Sequence, residues 1–334
     1  MKSYVESSQF PLVTIAGQQI PQVILGTHPF DGITYTSIHR DQLFRQQWTD
    51  ARSMVHILKP IVSRFGVTSV RGFPSTSPYS YWHQKAIHQT MQELDTEIAI
   101  VLGTILPLKQ SIDIRPYLYR LSLQASRQYA AKWRKDAIIQ YWLDRNDNPD
   151  EVARQFIQQA TALPLTPPNE WKNVDIDYHK LDELLQRYKE FNVPIYASNE
   201  TWNFLVLAQR YDEFQELVTY VRDQIQGPFL LGTHYAGIII PHVEAAGLDV
   251  DGYSTPVNAT GILMFPTQEL AVQAIHATSK PVIAIKPLGG GRIPPRVAFS
   301  YVFKDIGLPA AMVGIGSLTE AQETLTEAHR LLNS

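Results

Sequence analysis

The chain of 334 residues contains no cysteine. That excludes disulfides, thiolate nucleophiles, Cys-ligated zinc and iron–sulfur clusters, and fits a reducing compartment. Long apolar runs are missing too. None approaches the length needed to cross a bilayer, and the opening Met1-Lys-Ser-Tyr-Val-Glu lacks the apolar centre of a signal peptide. A soluble cytoplasmic protein is expected. Charge of either sign is in short supply. With 29 Lys and Arg against 32 Asp and Glu, the net charge of −3 gives no reason to expect nucleic acid or an acidic membrane as partner. A small molecule is the expected ligand, and oligomeric state is left open. No Pro/Gly/Ser-rich linker divides the chain. Its strongest break, Leu163-Pro-Leu-Thr-Pro-Pro-Asn169, reads as a loop inside one domain spanning 1–334.

What is present is an ordinary globular mixture, 44% hydrophobic, with ample material for a core. Short β-rich runs alternate with amphipathic helical patterns. The strand candidates are Val23–Gly26, Thr68–Gly72, Ile98–Gly103, Ala137–Leu143, Pro194–Ser198, Phe229–Gly232, Gly252–Thr255, Val282–Lys286 and Met312–Ile315. Most are continuous apolar runs, which suits strands buried on both faces of a parallel sheet. Between them, Leu181, Leu184, Leu185, Tyr188 and Phe191 share one helical face, and so do Phe214, Leu217, Val218, Val221 and Ile225. The strand–helix alternation implies an α/β fold. Ile24-Leu-Gly-Thr-His28 recurs as Leu230-Leu-Gly-Thr-His234, with Val101-Leu-Gly-Thr104 as a truncated copy, which points to a (β/α)8 TIM barrel of repeated units. Nine candidates compete for eight barrel positions. Either Ala137–Leu143 or Pro194–Ser198 lies outside the barrel, or Gly252–Thr255 is not a full strand. Three βα connections are long: Pro29 to Trp48, Thr104 to Lys135 and Asp144 to Asn192. Such loops are usually lids or binding loops.

The sharpest motifs stand in the last quarter. Lys286-Pro-Leu-Gly-Gly-Gly-Arg292 ends one strand, and Gly314-Ile-Gly-Ser317 ends the next and opens a helix. Two adjacent glycine turns with bare amides make a phosphate pocket, and a helix start adds orphan N–H groups and a positive dipole end. That is where a (β/α)8 barrel usually holds a phosphorylated ligand. Gly289, Gly290, Gly291, Arg292, Gly314, Gly316, Ser317, Thr319 and Gln322 are therefore the candidate phosphate or cofactor residues; Ser317 with Glu320 three residues on also has capping-box spacing. No Lys or Arg follows Ser317 closely enough to clamp a 2′-phosphate, so a dinucleotide here favours NAD over NADP. His28 and His234 each follow a Leu-Gly-Thr strand end and suit proton transfer. Asp31, Arg71, Asp144, Glu200 and Lys286 complete the rim candidates, Lys286 as a Schiff-base amine or a charge partner, Glu200 as a general base. The spacing of His28, Asp31, Glu200 and His234 is too loose to indicate a metal.

Taken together, several segments resemble the aldo-keto reductases. Val13 to Thr27 is similar to that family's bottom hairpin and first strand. Phe65 to Tyr79 sits where it has its second strand and tyrosine-bearing turn. Gly232-Thr-His-Tyr235 through Val257-Asn258 is similar to its fifth and sixth strands. Lys286–Gly291 and Gly314–Ser317 resemble the strand ends that hold the nicotinamide dinucleotide. The resemblance is best after residue 228 and poor between 104 and 227. It implies a TIM barrel with an N-terminal β-hairpin and an NAD(P)-dependent oxidoreductase of a small carbonyl or hydroxyl compound. Departures from the family's catalytic Asp, Tyr, Lys and His stand beside it. The second strand offers Arg71-Gly72-Phe73, the third ends in Leu102-Gly103-Thr104, and Tyr141-Trp-Leu-Asp144 has no His. Only Tyr79 or Tyr81 could supply the tyrosine. The alternative is a cofactor-free lyase or isomerase in which His28, Glu200 and His234 move protons and Lys286, Arg292 and Arg71 hold a phosphorylated or carboxylated substrate. The placement of Tyr79 and Tyr81 discriminates: a hydroxyl facing His28 or Arg71 favours reduction, and both packed away favours proton transfer.

Overall fold

The computed structural model describes residues 9–110, 118, 130–146, 148, 150–155 and 174–333. It opens with a hairpin of β1 (Leu12–Ile15) and β2 (Gln18–Pro21), joined by Ala16 and Gly17 at φ 47° and 82°. Positive φ at both central residues gives the turn twist that a two-residue hairpin needs.

Eight parallel strands close into a barrel: β3 (Val23–Gly26), β4 (Ser69–Gly72), β5 (Ala99–Leu102), β6 (Ile195–Ala197), β7 (Phe229–Gly232), β8 (Gly252–Pro256), β9 (Val282–Ile285) and β10 (Ala310–Gly314), with β10 pairing back on β3. Alternation along each strand explains the unbroken apolar sequences. Ile24, Val101, Ile195, Leu230, Ile283 and Ala310 form one buried cluster with Ile15 and Ile20 of the hairpin. Their neighbours Val23, Leu25, Ile100, Phe229, Leu231 and Val313 join the larger cluster under the helices. The hairpin thus closes the barrel floor, and the opposite, C-terminal end is left for chemistry.

Helices cover the outside. First come α1 (Ile38–Gln47), α2 (Ala51–Phe65), α3 (Pro78–Leu94), α4 (Ala130–Arg134) and α5 (Ala137–Leu143), of which α1, α4 and α5 contribute residues to the mouth. Further round, α6 (Tyr178–Gln186) buries Leu181, Leu184 and Leu185, α7 (Asn203–Leu207) follows β6, and α8 (Tyr211–Ile225) buries Phe214, Leu217, Val218 and Val221. The series ends with α9 (Ala236–Ala245), α10 (Gln268–Ala277), α11 (Pro295–Ser300) and α12 (Leu318–Leu332). No described helix is long and apolar enough to cross a membrane.

One expectation is corrected. Ala137–Leu143 is not a strand but helix α5, begun by Asp136, whose side chain accepts from the amides of Ile138 and Ile139 at 2.9 and 3.2 Å. Seven residues with Ile138, Ile139, Tyr141 and Leu143 buried are too few for periodicity to separate a helix from a strand; the Asp before them was the usable signal. The fourth barrel strand is β6, and β8 is a full strand. Leu163–Asn169 lies outside the described residues.

Candidate active site at the barrel mouth

The C-terminal strand ends open into a cavity of about 1570 Å³. Its floor is cationic. Arg71 of β4 is buried, and its guanidinium donates to carbonyls at the ends of β5 and β6. Nη1 donates to the Leu102 carbonyl at 3.2 Å and Nη2 to the Ala197 carbonyl at 2.5 Å. Gly103 makes this placement possible: a Cβ there would sit 2.2 Å from Nη2. Burial pulls the guanidinium down to about 10, so it keeps its charge at neutral pH.

Lys286 follows β9 in the left-handed region, at φ 54°. A non-glycine residue there is strained, and such strain gathers at functional positions. Its Nζ lies 3.3 Å from Nε2 of His234, which follows β7, and 5.0 Å from the centre of the Tyr35 ring. Burial pushes the ammonium down to about 8; the Glu200 carboxylate opposes this and Arg71 adds to it. Burial likewise holds His234 down at about 4, against the pull of Glu200 and with the push of Lys286. His28 is lowered to about 3 by burial, then by Lys286, Arg71 and His234. Both imidazoles are therefore neutral at physiological pH. His28 packs beside Tyr35 and Phe73, with ring centres 5.3 and 6.4 Å away. Among the described residues neither Arg71 nor Lys286 has a carboxylate as ion-pair partner, and no group of His, Asp and Glu could hold a metal.

The other rim candidates separate. Glu200 begins a short 3-10 turn after β6 and lines the cavity. Asp31 is half-buried outside the cavity lining, and desolvation raises its carboxyl to about 7. Asp144 is the exposed C-cap of α5, not a strand end, and does not line the cavity. Arg71 does not pair with it. Tyr79 lies on α3 with its ring edge on Trp82, 5.3 Å away, and Tyr81 is 46% exposed under the Arg187 guanidinium. Neither tyrosine lines the cavity. Two contributors are not singled out by their local sequence. Tyr35, at φ 59°, brings one ring against both His28 and Lys286. Asp41 is buried and accepts from Thr34 at 2.8 Å, from the Tyr141 hydroxyl at 2.5 Å and from Arg145. The same helix is tied on its other side, where the Asp136 carboxylate accepts from the Leu263 amide at 2.6 Å.

The two glycine turns differ in their packing. Gly289, Gly290 and Gly291 run at φ 56°, 69° and 78°, Gly290 and Gly291 line the cavity, and a Cβ on Gly291 would meet nothing within 4 Å. Arg292 stands beside them with Nη1 3.1 Å from the Gly289 carbonyl. This turn is open to the cavity. The second turn is more closely packed. Its Gly316 amide already donates to Glu320 Oε2 at 2.8 Å, Phe44 packs so closely that a Cβ on Gly316 would overlap its ring at 1.9 Å, and Ser317 caps the Glu320 amide. Gly314 lines the cavity, whereas Gly316, Ser317, Thr319 and Gln322 do not. Arg40 of α1 completes the closure with an ion pair to Glu320 at 2.5 Å.

No protein-family model and no curated protein matches the chain. Solved structures do. Two structures assigned as aldo-keto reductases from Pseudomonas aeruginosa each superpose with a TM-score of 0.53 at 14% identity, covering 99% of this chain and 100% and 99% of theirs. The chain therefore has the aldo-keto reductase type of (β/α)8 barrel.

Proposed function

We propose that the protein is a lyase or isomerase that moves a proton on a small anionic carbonyl compound without a nicotinamide cofactor. One observation carries this reading: a half-buried Lys286 ammonium held 3.3 Å from a neutral histidine, beside Arg71 and His28, with no carboxylate paired to either cation among the described residues. Desolvated cations without an ion-pair partner are costly, and an anionic substrate supplies one. Its carboxylate or phosphate sits against Arg71 or the Gly290–Arg292 turn. Its carbonyl oxygen accepts from Lys286 Nζ. A neutral His28 takes the proton α to that carbonyl, the C–H electron pair moves to the oxygen, and the cations stabilise the enolate. The proton then returns to another carbon or to a leaving group. Burial is the main reason that His28 is a weak base, and an anion close to Lys286 and Arg71 offsets the repulsion that these cations add to it. The test is exchange of substrate C–H for deuterium in D₂O, followed by NMR over a panel of 2-oxo acids and sugar phosphates. Exchange that disappears in Lys286→Met and Arg71→Met is expected; no exchange with any member sinks the reading.

A second reading, an NAD- or NADP-dependent oxidoreductase, is favoured by the open Gly289–Arg292 turn in this type of barrel. The dinucleotide, when bound, supplies or accepts a hydride. Gly290, Gly291 and Arg292 would hold its phosphates. Lys286 and His234 would have to give the proton, because Tyr79 and Tyr81 lie away from the cavity and the family's Asp and Lys are absent. The Gly316 amide of the second turn, already bonded to Glu320, speaks against it. Quenching of tryptophan fluorescence by micromolar NADH or NADPH, lost in Gly290→Asp, would reinstate it.

A further inference from the structure

Four features of Lys286 exceed what holding an anion requires. Its backbone sits at φ 54°, where glycine is cheaper, and the position is fixed by Pro287 and by the Gly289 amide, which donates to the Lys286 carbonyl at 3.0 Å. Among the described residues its amine is paired with no carboxylate, and it shares a 3.3 Å hydrogen bond with a neutral imidazole. An ammonium beside a carboxylate is stabilised in its charged form; beside an imidazole it can hand its proton over. The Tyr35 ring stands 5.0 Å off on another side and restricts the amine's surroundings. Finally, the Lys286 side chain faces the same cavity as Arg71 and His28, so a carbonyl compound anchored by its anionic end meets the amine.

We propose that Lys286 is a covalent catalytic residue whose free amine condenses with the carbonyl carbon of a small anionic aldehyde or ketone to form an imine, with His234 carrying the proton. The inference deepens the proton-transfer reading and rests on it for the substrate class. The ammonium first releases a proton to water through His234 Nε2, as burial of the amine allows near pH 8. The amine attacks, a C–N bond forms, the carbonyl π pair goes to oxygen, and a proton shifts from nitrogen to that oxygen. A proton returned from water through His234 then protonates the hydroxyl, the C–O bond breaks, and water leaves as the nitrogen pair makes C=N. The sum is carbonyl plus ammonium to protonated imine plus water, with no oxidant or reductant. A protonated imine is a stronger electron sink than a carbonyl. It lowers the barrier to removing an α proton and opens C–C cleavage beside the same carbon. An amine brought close to neutrality by burial suits this role.

The experiment uses the full chain with pyruvate and, separately, glyceraldehyde 3-phosphate, in the presence of sodium cyanoborohydride, followed by intact mass and peptide mapping. One adduct per chain, located at Lys286, is expected with at least one probe. Its formation should speed up as pH rises through about 8. Lys286→Arg, which keeps the charge, should abolish it, and His234→Gln should slow it by about tenfold or more. Mapping on the unaltered protein gives the answer even if a variant fails to fold. Adducts spread over exposed lysines such as Lys189 and Lys304, or no adduct with either probe, overturn the proposal. If deuterium exchange persists without trapping, the imine falls and the proton-transfer reading stands; if both are absent, both fall.

Discussion

The two glycine turns at the end of the barrel carry the same sequence signal and meet opposite surroundings. Gly289–Gly291 follows β9 and faces an open cavity. Gly314–Ser317 follows β10 and is closed by Phe44, Glu320 and Arg40. A glycine turn is a licence for close approach, and what approaches is decided elsewhere in the chain. At the first turn the approach is free for a ligand. At the second, a phenylalanine and a carboxylate from the protein itself have taken it.

The largest expected effect tests that difference directly. Gly316→Ala should destabilise the fold by about 3 kcal/mol, because its Cβ has no room beside Phe44. Gly291→Ala should cost only about 1 kcal/mol, from its positive φ alone. Urea denaturation measures both, and equal losses would erase the contrast. Restoration of Gly316→Ala by Phe44→Ala would sharpen it.

Next comes acid. The segment that seals the second turn rests on His83: Phe30 stacks on Trp48 at 5.3 Å and on the His83 ring at 4.7 Å. Burial lowers His83 to about 3. Below pH 6.5 the unfolded chain takes up a proton that the folded imidazole refuses, so its contribution is complete above 6.5 and is lost as pH falls towards 3. Between pH 7 and 5 this amounts to about 2 kcal/mol. Asp31, raised to about 7, acts in the opposite sense: its contribution is complete below its ordinary carboxylate value and lost as pH rises through 7. Thermal melts of His83→Gln against the unaltered chain isolate the histidine, and an unchanged pH slope would refute its role.

Smaller again is the effect of charge in the open turn. Gly291→Asp should weaken binding of any anionic ligand there by about tenfold, or about 1.4 kcal/mol, in a calorimetric titration with inorganic pyrophosphate. Parity with the unaltered protein would mean that the open turn holds no anion. Smallest is Glu320→Gln. Its ion pair with Arg40 is partly exposed, so the loss should stay below about 1 kcal/mol in the same denaturation assay.

Most of the fold was legible because a barrel strand buried on both faces has nothing to alternate, and eight such runs stand between helical patterns. Ala137–Leu143 misled because a short helix buried beneath a mouth looks the same. The site divides along similar lines. The placement of His28, His234 and Lys286 at the mouth was readable because strand ends fix where the next residue points. Asp144 was not, since its position depended on the misread helix. The sealing of Gly316 was invisible too: Phe44 lies 272 positions away in the chain, and no local pattern reports a contact of that range. Nor does sequence alone reveal that Arg71 rests on Gly103, although the missing lysine there left the space it uses.

Helix α5 is fastened at both ends of its short length, by Asp136 to the loop after β8 and by Tyr141 and Arg145 to Asp41 in the first connection. Ile139, Trp142 and Leu143 hang from it into the cavity. It therefore works as a buckle between two otherwise separate loops. A change in the position of either loop is therefore felt, through α5, by the other.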